Sequence, residues 1–199
     1  MPKTKVSVKT KAKRSVSAKK PIRSTRVKAA AKKTVAKKSL TRQVKKKVSA
    51  IPEGYHSVTP YLIVDGAAQA IEFYKKAFAA KLVLRMEQPG GKIGHAELKI
   101  GDAKIMLADE CPEMKAYAPS RDGGTPISLY MYVKNVDKVV ERAIANGAKV
   151  LRPVEDMFYG DRSGGIVDPF GHHWYVSTHI EDVSTRELKK RAAQMFGKK

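Results

Sequence analysis

Two short runs carry the residue types that perform chemistry. In KIGHAELKI, residues 92–100, His95 and Glu97 stand two apart, so an extended chain projects both from one face. An imidazole beside a carboxylate is a general-base pairing that works near neutral pH. The same carboxylate can instead be held in an ordinary ion pair by Lys99 or Arg162. The second run is FYGDRSGGIVDPFGHHWYV, residues 158–176. Its Asp168-Pro169-Phe170-Gly171 is a tight turn: Pro fixes φ, Asp bonds its own backbone and Gly accepts a positive φ. From His172 polar and apolar residues alternate, so His173, Tyr175 and Ser177 share one face and Trp174, Val176 and Thr178 the other. Residues 159–165 read as a polar loop, either the rim of a site or a plain hairpin connection. Within it Arg162 is the group best suited to grip an anionic or planar part of a ligand.

These side chains need strands to carry them. Residues 56–64 read as a first strand ended by Asp65-Gly66, and 67–80 as a helix with Ala67, Ala70, Ile71, Tyr74 and Phe78 on one face. Strands follow at 81–87, 92–100 and 103–108, separated by Pro89-Gly90-Gly91 and Gly101-Asp102 turns. After a loop over 109–125 the order recurs. A strand at 126–133 precedes a helix at 136–146 that turns Val136, Val139, Val140, Ala143 and Ile144 inward. Gly147 caps it, a strand covers 148–154, and the 158–176 run supplies two more. Val64 through Val83 matches Val133 through Leu151 with one single-residue gap, which marks a duplication. Ser184-Thr185-Arg186-Glu187 is a capping box that opens a last helix within residues 181–199. The fold class expected is α+β, with two βαβββ modules at about 56–109 and 126–179 forming paired concave sheets, inside a domain over 51–180.

Alternation also assigns the faces. Val58, Leu62 and Val64 belong with the helix layer, leaving Thr59, Tyr61 and Ile63 opposite. Ala96, Leu98 and Ile100 are the apolar set of the third strand, leaving Ile93, His95, Glu97 and Lys99. Ile127, Leu129, Met131 and Val133 turn inward in the second module, leaving Ser128, Tyr130 and Tyr132. A polar and aromatic surface of this kind suits a small-molecule cavity. A solvated sheet face is the other reading of the same alternation. The duplication favours the cavity, because it turns the two faces toward one another.

The Gly160-Asp161-Arg162 segment, the DPFGH turn and the aromatic-rich last strand resemble the closing segment of the vicinal oxygen chelate superfamily. That group includes glyoxalase I, ring-cleaving dioxygenases, fosfomycin-resistance enzymes and bleomycin-binding proteins. The resemblance covers residues 55–178 and is nearest to compact bacterial glyoxalase-like and bleomycin-resistance-like proteins. It implies that catalytic members bind a divalent metal through one ligand from each of four strands, commonly His or Glu. Registering this chain puts Thr59, Glu97, Ser128 and Tyr175 at those places, and only Glu97 is a usual ligand. A metal-free protein is therefore expected, with no cofactor favoured; a divalent metal on Glu97, His95 and His173 is the fallback. The expected function is binding or transformation of a small molecule in the cleft. Glu97 and His95 are the candidate catalytic pair, and Thr59, Tyr61, Ser128, Tyr130, Arg162, His173 and Tyr175 are the candidate ligand contacts. A metal-dependent lyase, isomerase or dioxygenase is one alternative, and a homodimer is expected by the same resemblance.

Charge sets residues 1–50 apart. They hold nineteen Lys and Arg and no Asp or Glu, out of a net charge of +21 for the 199 residues, so the remainder is almost neutral. Ala-Lys-Lys and Val-Lys units recur, with the basic groups at Lys19, Lys20, Lys32, Lys33, Lys37, Lys38, Lys45, Lys46 and Lys47. Small apolar residues cannot offset the ~1 to 2 kcal/mol that ordering each residue costs, so disorder is expected. The composition resembles linker-histone-like bacterial tails, which implies non-specific nucleic-acid binding; a solubilising extension is the competing reading. If the tail acts by tethering, the protein is a nucleic-acid-bound interaction protein, which is a third function class. A lone cysteine, Cys111, excludes an internal disulfide. No apolar run of ~18 residues and no secretion signal appear, so a cytoplasmic location is expected, nucleoid-associated if the tail binds DNA, with no membrane partner. No phosphate-binding Gly-rich loop, Ser-His-Asp order or CxxC occurs, which leaves kinase, hydrolase and dithiol readings without support.

Overall fold

The computed structural model describes residues 48–119 and 125–197, so the nine tail lysines named above lie outside the described residues. Two modules with the same element order follow one another. The first runs β1 (Tyr61–Val64), α1 (Ala67–Phe78), β2 (Lys81–Glu87), β3 (Ile93–Ile100) and β4 (Ala103–Asp109). The second runs β5 (Ser128–Tyr132), α2 (Val136–Ala145), β6 (Lys149–Asp156), β7 (Asp161–Val167) and β8 (His173–His179). Each makes a four-stranded sheet, in the orders β1-β4-β3-β2 and β5-β8-β7-β6. The first strand of each module pairs parallel to the last, and the remaining pairs are antiparallel. Identical topology in both halves is what a duplicated βαβββ unit produces.

The helices lie where periodicity places them. Ala67, Ala70, Ile71, Tyr74 and Phe78 of α1 are buried, as are Val136, Val139, Val140 and Ala143 of α2, while Ile144 is 43% exposed. α1 starts from Gly66 at φ 95°, which offers no side-chain cap. Asp109 of β4 caps it instead, its Oδ1 accepting from Gly66 N at 3.0 Å and Ala67 N at 2.7 Å. α2 carries its own cap in Asn135, whose side chain accepts from Lys138 N at 2.9 Å. Gly147, at φ 103°, ends it, and Ala148 N reaches back to Ala143 O at 3.0 Å.

The core is shared between the modules. α1 packs against α2 and also sends its aromatic face onto the second sheet. There the Phe78 and Tyr74 ring centroids lie 4.7 and 5.6 Å from that of Trp174. The turn after β7 seals this contact. Asp168, 4% exposed, accepts from Phe170 N and His172 N at 2.9 Å each, from Trp174 Nε1 at 2.9 Å and from the Tyr74 hydroxyl at 2.7 Å. The Asp-Pro turn therefore also joins the two modules. A third helix, α3 (Thr185–Phe196), opens from the Ser184 cap and docks through Arg191, which forks onto Glu181 at 2.7 and 2.8 Å.

Several strand boundaries differ from expectation for local reasons. β1 begins at Tyr61 because Pro60 has no N–H to donate and constrains Thr59 before it. Thr59 is therefore outside the strand, and Val58 is 83% exposed and not in the helix layer. Ile127, likewise ahead of its strand, is 69% exposed. In β3, Met86 faces His95 while Glu87 faces Ile93, so Gly94 is an extra residue. The phase slips there, and Ile93 enters the core, 0% exposed. The expected loop over 159–165 is mostly the strand β7. The chain reverses in a short turn at 157–160, where Met157 N meets Asp161 O at 2.7 Å and Gly160 takes φ 97°.

Candidate functional site

Each sheet has one face toward the helices and one open face, and the open faces hold the polar side chains. On the first sheet Tyr61, Met106, Glu97 and Leu84 form a row across β1, β4, β3 and β2. Glu97 is the centre of a polar cluster there. Its carboxylate accepts from the Tyr55 hydroxyl and lies 3.6 Å from His95 Nε2 and 3.5 Å from Lys104 Nζ. The other imidazole nitrogen of His95, Nδ1, is 3.1 Å from the Tyr61 hydroxyl, and Lys104 Nζ sits 3.8 Å from the Tyr55 ring centroid. The Tyr55 hydrogen bond, aided by His95 and Lys104, holds the Glu97 carboxyl below the usual carboxylate range. The Tyr55 phenol is correspondingly pushed up to about 12. Glu97 is thus an ionised acceptor with a cation beside it. A general base works best with its pKa near ambient pH, so this environment suits binding better than proton abstraction. The partner in the ion pair is Lys104, neither Lys99 nor Arg162.

The open face of the second sheet is built in rows too. Tyr130, Tyr175, Gly165 and Arg152 face one another in turn across β5, β8, β7 and β6. Gly165 leaves the space that lets the row close. A Cβ there would lie 3.1 Å from the Tyr175 ring and 3.4 Å from Arg152 Cβ. The Arg152 guanidinium carbon is 5.3 Å from the Tyr175 ring centroid, and Tyr175 stacks on Tyr130 at 6.3 Å. In the next row Ser177 Oγ lies 2.7 Å from both the Tyr130 hydroxyl and Ser163 Oγ, its one proton going to one of them while it accepts from the other, and Arg152 Nη2 donates to Ser163 Oγ at 2.8 Å. Beyond it, buried Asp161 accepts from the Tyr132 hydroxyl at 2.9 Å and pairs with His179 Nδ1 at 2.8 Å. Asp161 raises the Tyr132 phenol to about 12 and also raises the His179 imidazole. His173 stands one row the other way, opposite Ser128.

Arg162 is not on this face. Ser163 and Gly165 take the open side, so alternation sends Arg162 toward α2, where it forks onto Asp137 at 2.7 and 2.9 Å and reaches Asp156 at 2.9 Å. Arg152 occupies the open side in its place, without an acidic partner among the described residues. Its Nε is buried with no hydrogen-bond partner. Sequence reading missed Arg152, Asp161, Ser163 and His179. The run KVLRPVED in β6 has no clean alternation, and Asp161 and Ser163 were assigned to a loop.

The four positions that the resemblance assigns to metal ligands do not make a donor set here. Thr59 precedes its strand, Ser128 and Tyr175 offer hydroxyls, and Glu97 is already paired with an ammonium. His95 and Glu97 lie on the first sheet and His173 on the second, so the fallback trio is split. Among the described residues no group of three or more His, Cys, Asp or Glu stands close enough to hold a metal ion. The residues present do not fit a divalent metal.

A cavity of about 940 Å³ borders the open face of the second sheet at Tyr130 and Tyr132. It opens between the β3–β4 hairpin end and the β5–α2 side of the second module, and Glu97, His95 and Tyr175 do not line it.

Known proteins share this plan. An uncharacterized protein of Mycobacterium bovis is 41% identical over 136 residues, which cover 67% of this chain and 90% of that one. Protein YjdN of Escherichia coli is 25% identical over 141 residues, 60% of this chain and 93% of its own length. The crystal structure of protein PA1353 from Pseudomonas aeruginosa aligns with a TM-score of 0.51 and 26% identity, covering 62% of this chain and 98% of that one. The family model of the Glyoxalase/Bleomycin resistance protein/Dioxygenase superfamily matches residues 54–176, from ahead of β1 into β8. The chain belongs to that superfamily.

Proposed function

We propose that the protein binds a small molecule against its open sheet faces and does so without a metal. The observation that carries this reading is the exposure of aromatic side chains on those faces. Tyr61, Tyr130 and Tyr132 are 48%, 49% and 63% exposed above a floor of fixed polar groups. Rigid rings over satisfied hydrogen-bond partners are what an aromatic or planar ligand stacks on. Arg152 takes the role expected of Arg162, offering an uncompensated cation at the edge of the Tyr130–Tyr175 stack. The ionised, triply held Glu97 supports a binder over an acid–base enzyme.

The test is a thermal-shift screen of aromatic and heteroaromatic compounds, followed by calorimetry on the hits. Tyr130→Ala is expected to weaken a hit by at least about 1 kcal/mol, roughly fivefold, through loss of an aromatic anchor, and Tyr130→Phe much less. Unchanged affinity in Tyr130→Ala would move the site off this face.

Metal and assembly are checked on one purified preparation. Elemental analysis is expected to find less than one transition metal per chain; a stoichiometric metal lost on Glu97→Ala would restore the metal-dependent lyase or dioxygenase alternative. Sedimentation is expected to give a homodimer. Leu82, Val83, Leu84 and Met86 on the edge strand β2 are each more than 40% exposed, an apolar edge that a second copy would cover. A monomer at micromolar concentration would end that reading.

A further inference from the structure

The cavity of about 940 Å³ meets the open face at Tyr130 and Tyr132 and adds to it an apolar floor and a basic rim that the open-face reading does not use. Its floor is apolar, with Phe78, Leu129, Met131, Val139 and Trp174. Its rim is basic: Lys81, Lys99, Lys104, Lys134 and Arg142, against Asp102 as the acidic residue. Three of these cations come from one row of the first sheet. Lys81 faces Lys99 across β2 and β3, and Lys99 faces Lys104 across β3 and β4. Like charges directly opposite one another destabilise a sheet. Within the described residues Lys104 has an ion pair, with Glu97, while Lys81, Lys99, Lys134 and Arg142 have none. Arg142 is held in place by its Nε donating to Ala77 O at 3.3 Å, which leaves its charge uncompensated.

We infer that this cleft binds a small amphiphilic anion, an apolar chain or ring on the Phe78–Trp174 floor with a carboxylate or phosphate head among the rim lysines. The volume is within the range of small-molecule sites, and an apolar lining with a few convergent polar groups is their usual make-up. An external anion relieves the repulsion along the lysine row, which the described residues leave unrelieved except at Lys104. The floor separates this ligand from a bare phosphate, which would gain nothing from Phe78 or Trp174.

Trp174 is the chain's single tryptophan and lines this cleft, so its emission responds to a ligand seated there. The full-length protein is titrated at low salt with octyl phosphate, octanoate, octanol and inorganic phosphate. Octyl phosphate or octanoate is expected to change Trp174 emission saturably, and the tighter of the two identifies the head group. Octanol and inorganic phosphate are each expected to bind at least about tenfold more weakly, since each lacks half of the contact. Replacing two rim charges in Lys99→Gln/Lys134→Gln is expected to weaken the anion about tenfold, at roughly 1 kcal/mol or less per exposed charge. Both lysines are exposed and carry no structural bond, so the fold is retained. Equal binding of octanol, unchanged affinity in the double variant, or no emission change with any amphiphile would each overturn the inference. A change produced by duplex DNA and not by octyl phosphate would do so as well. Tyr130 borders both sites, so Tyr175, which does not line this cleft, is the residue whose replacement separates the open-face site from it.

Discussion

Asp168→Ala is expected to lower the unfolding free energy by at least about 4 kcal/mol, enough to remove most of the stability of a domain with the usual ~5 to 15 kcal/mol. The carboxylate satisfies four donors at once, two of them turn amides and two of them side chains from different modules. Tyr74 is 0% and Trp174 3% exposed, so neither can turn to water once the acceptor is gone. Each stranded buried donor costs about 1 to 3 kcal/mol, and the desolvation of the carboxylate itself, which the mutation relieves, offsets part of the sum. Tyr74→Phe removes one donor together with its need for a partner and is expected to cost about 1 to 2 kcal/mol. Urea unfolding of both variants decides the matter. A loss below about 1 kcal/mol for Asp168→Ala would mean that the turn is held by Pro169 and Gly171 alone and that the bonds between modules contribute little.

The importance of that turn was half legible in the sequence. DPFG declares a turn because each residue has a backbone role of its own, and local roles are readable from local order. That the carboxylate also receives Tyr74, 94 residues earlier, is not local and left no trace. The same division runs through the molecule. α1 and α2 were readable because a helix repeats its buried face every three or four residues, and the element order was readable twice because the chain repeats it. His95, Glu97, Tyr130 and Tyr175 were placed on open faces by simple alternation. Alternation failed where a proline or an extra glycine changed the phase, at Thr59 and Ile93. Arg162 was misplaced for another reason: residues 159–165 read as a loop, where alternation assigns no face, whereas Asp161–Val167 is a strand. Lys81, Lys99 and Lys104 are unremarkable in sequence, because only the pairing register brings them into one row.

The tail gives the steepest expected response of any part of the chain. Residues 1–50 carry nineteen cations and no carboxylate, whereas the remaining 21 basic and 19 acidic residues nearly cancel. Engagement of only six phosphates, at about −0.9 per contact, gives log affinity against log salt a slope near −5. Raising salt from 50 to 200 mM is then expected to weaken duplex binding about 10³-fold, with little dependence on base sequence. Deleting residues 1–50 is expected to abolish this binding while leaving the thermal midpoint unchanged. Among the described residues the buried core begins at Leu62, and the family match begins at residue 54. Fluorescence anisotropy with labelled duplexes, on the full chain and the truncated one, separates the readings. Weak, salt-insensitive binding by the full chain would leave the tail as a solubilising extension. A steep slope that survives truncation would locate the nucleic-acid surface on the folded domain, with Lys81, Lys99, Lys134 and Arg142 as the cations to test first, and the small-anion reading of that cleft would give way to it.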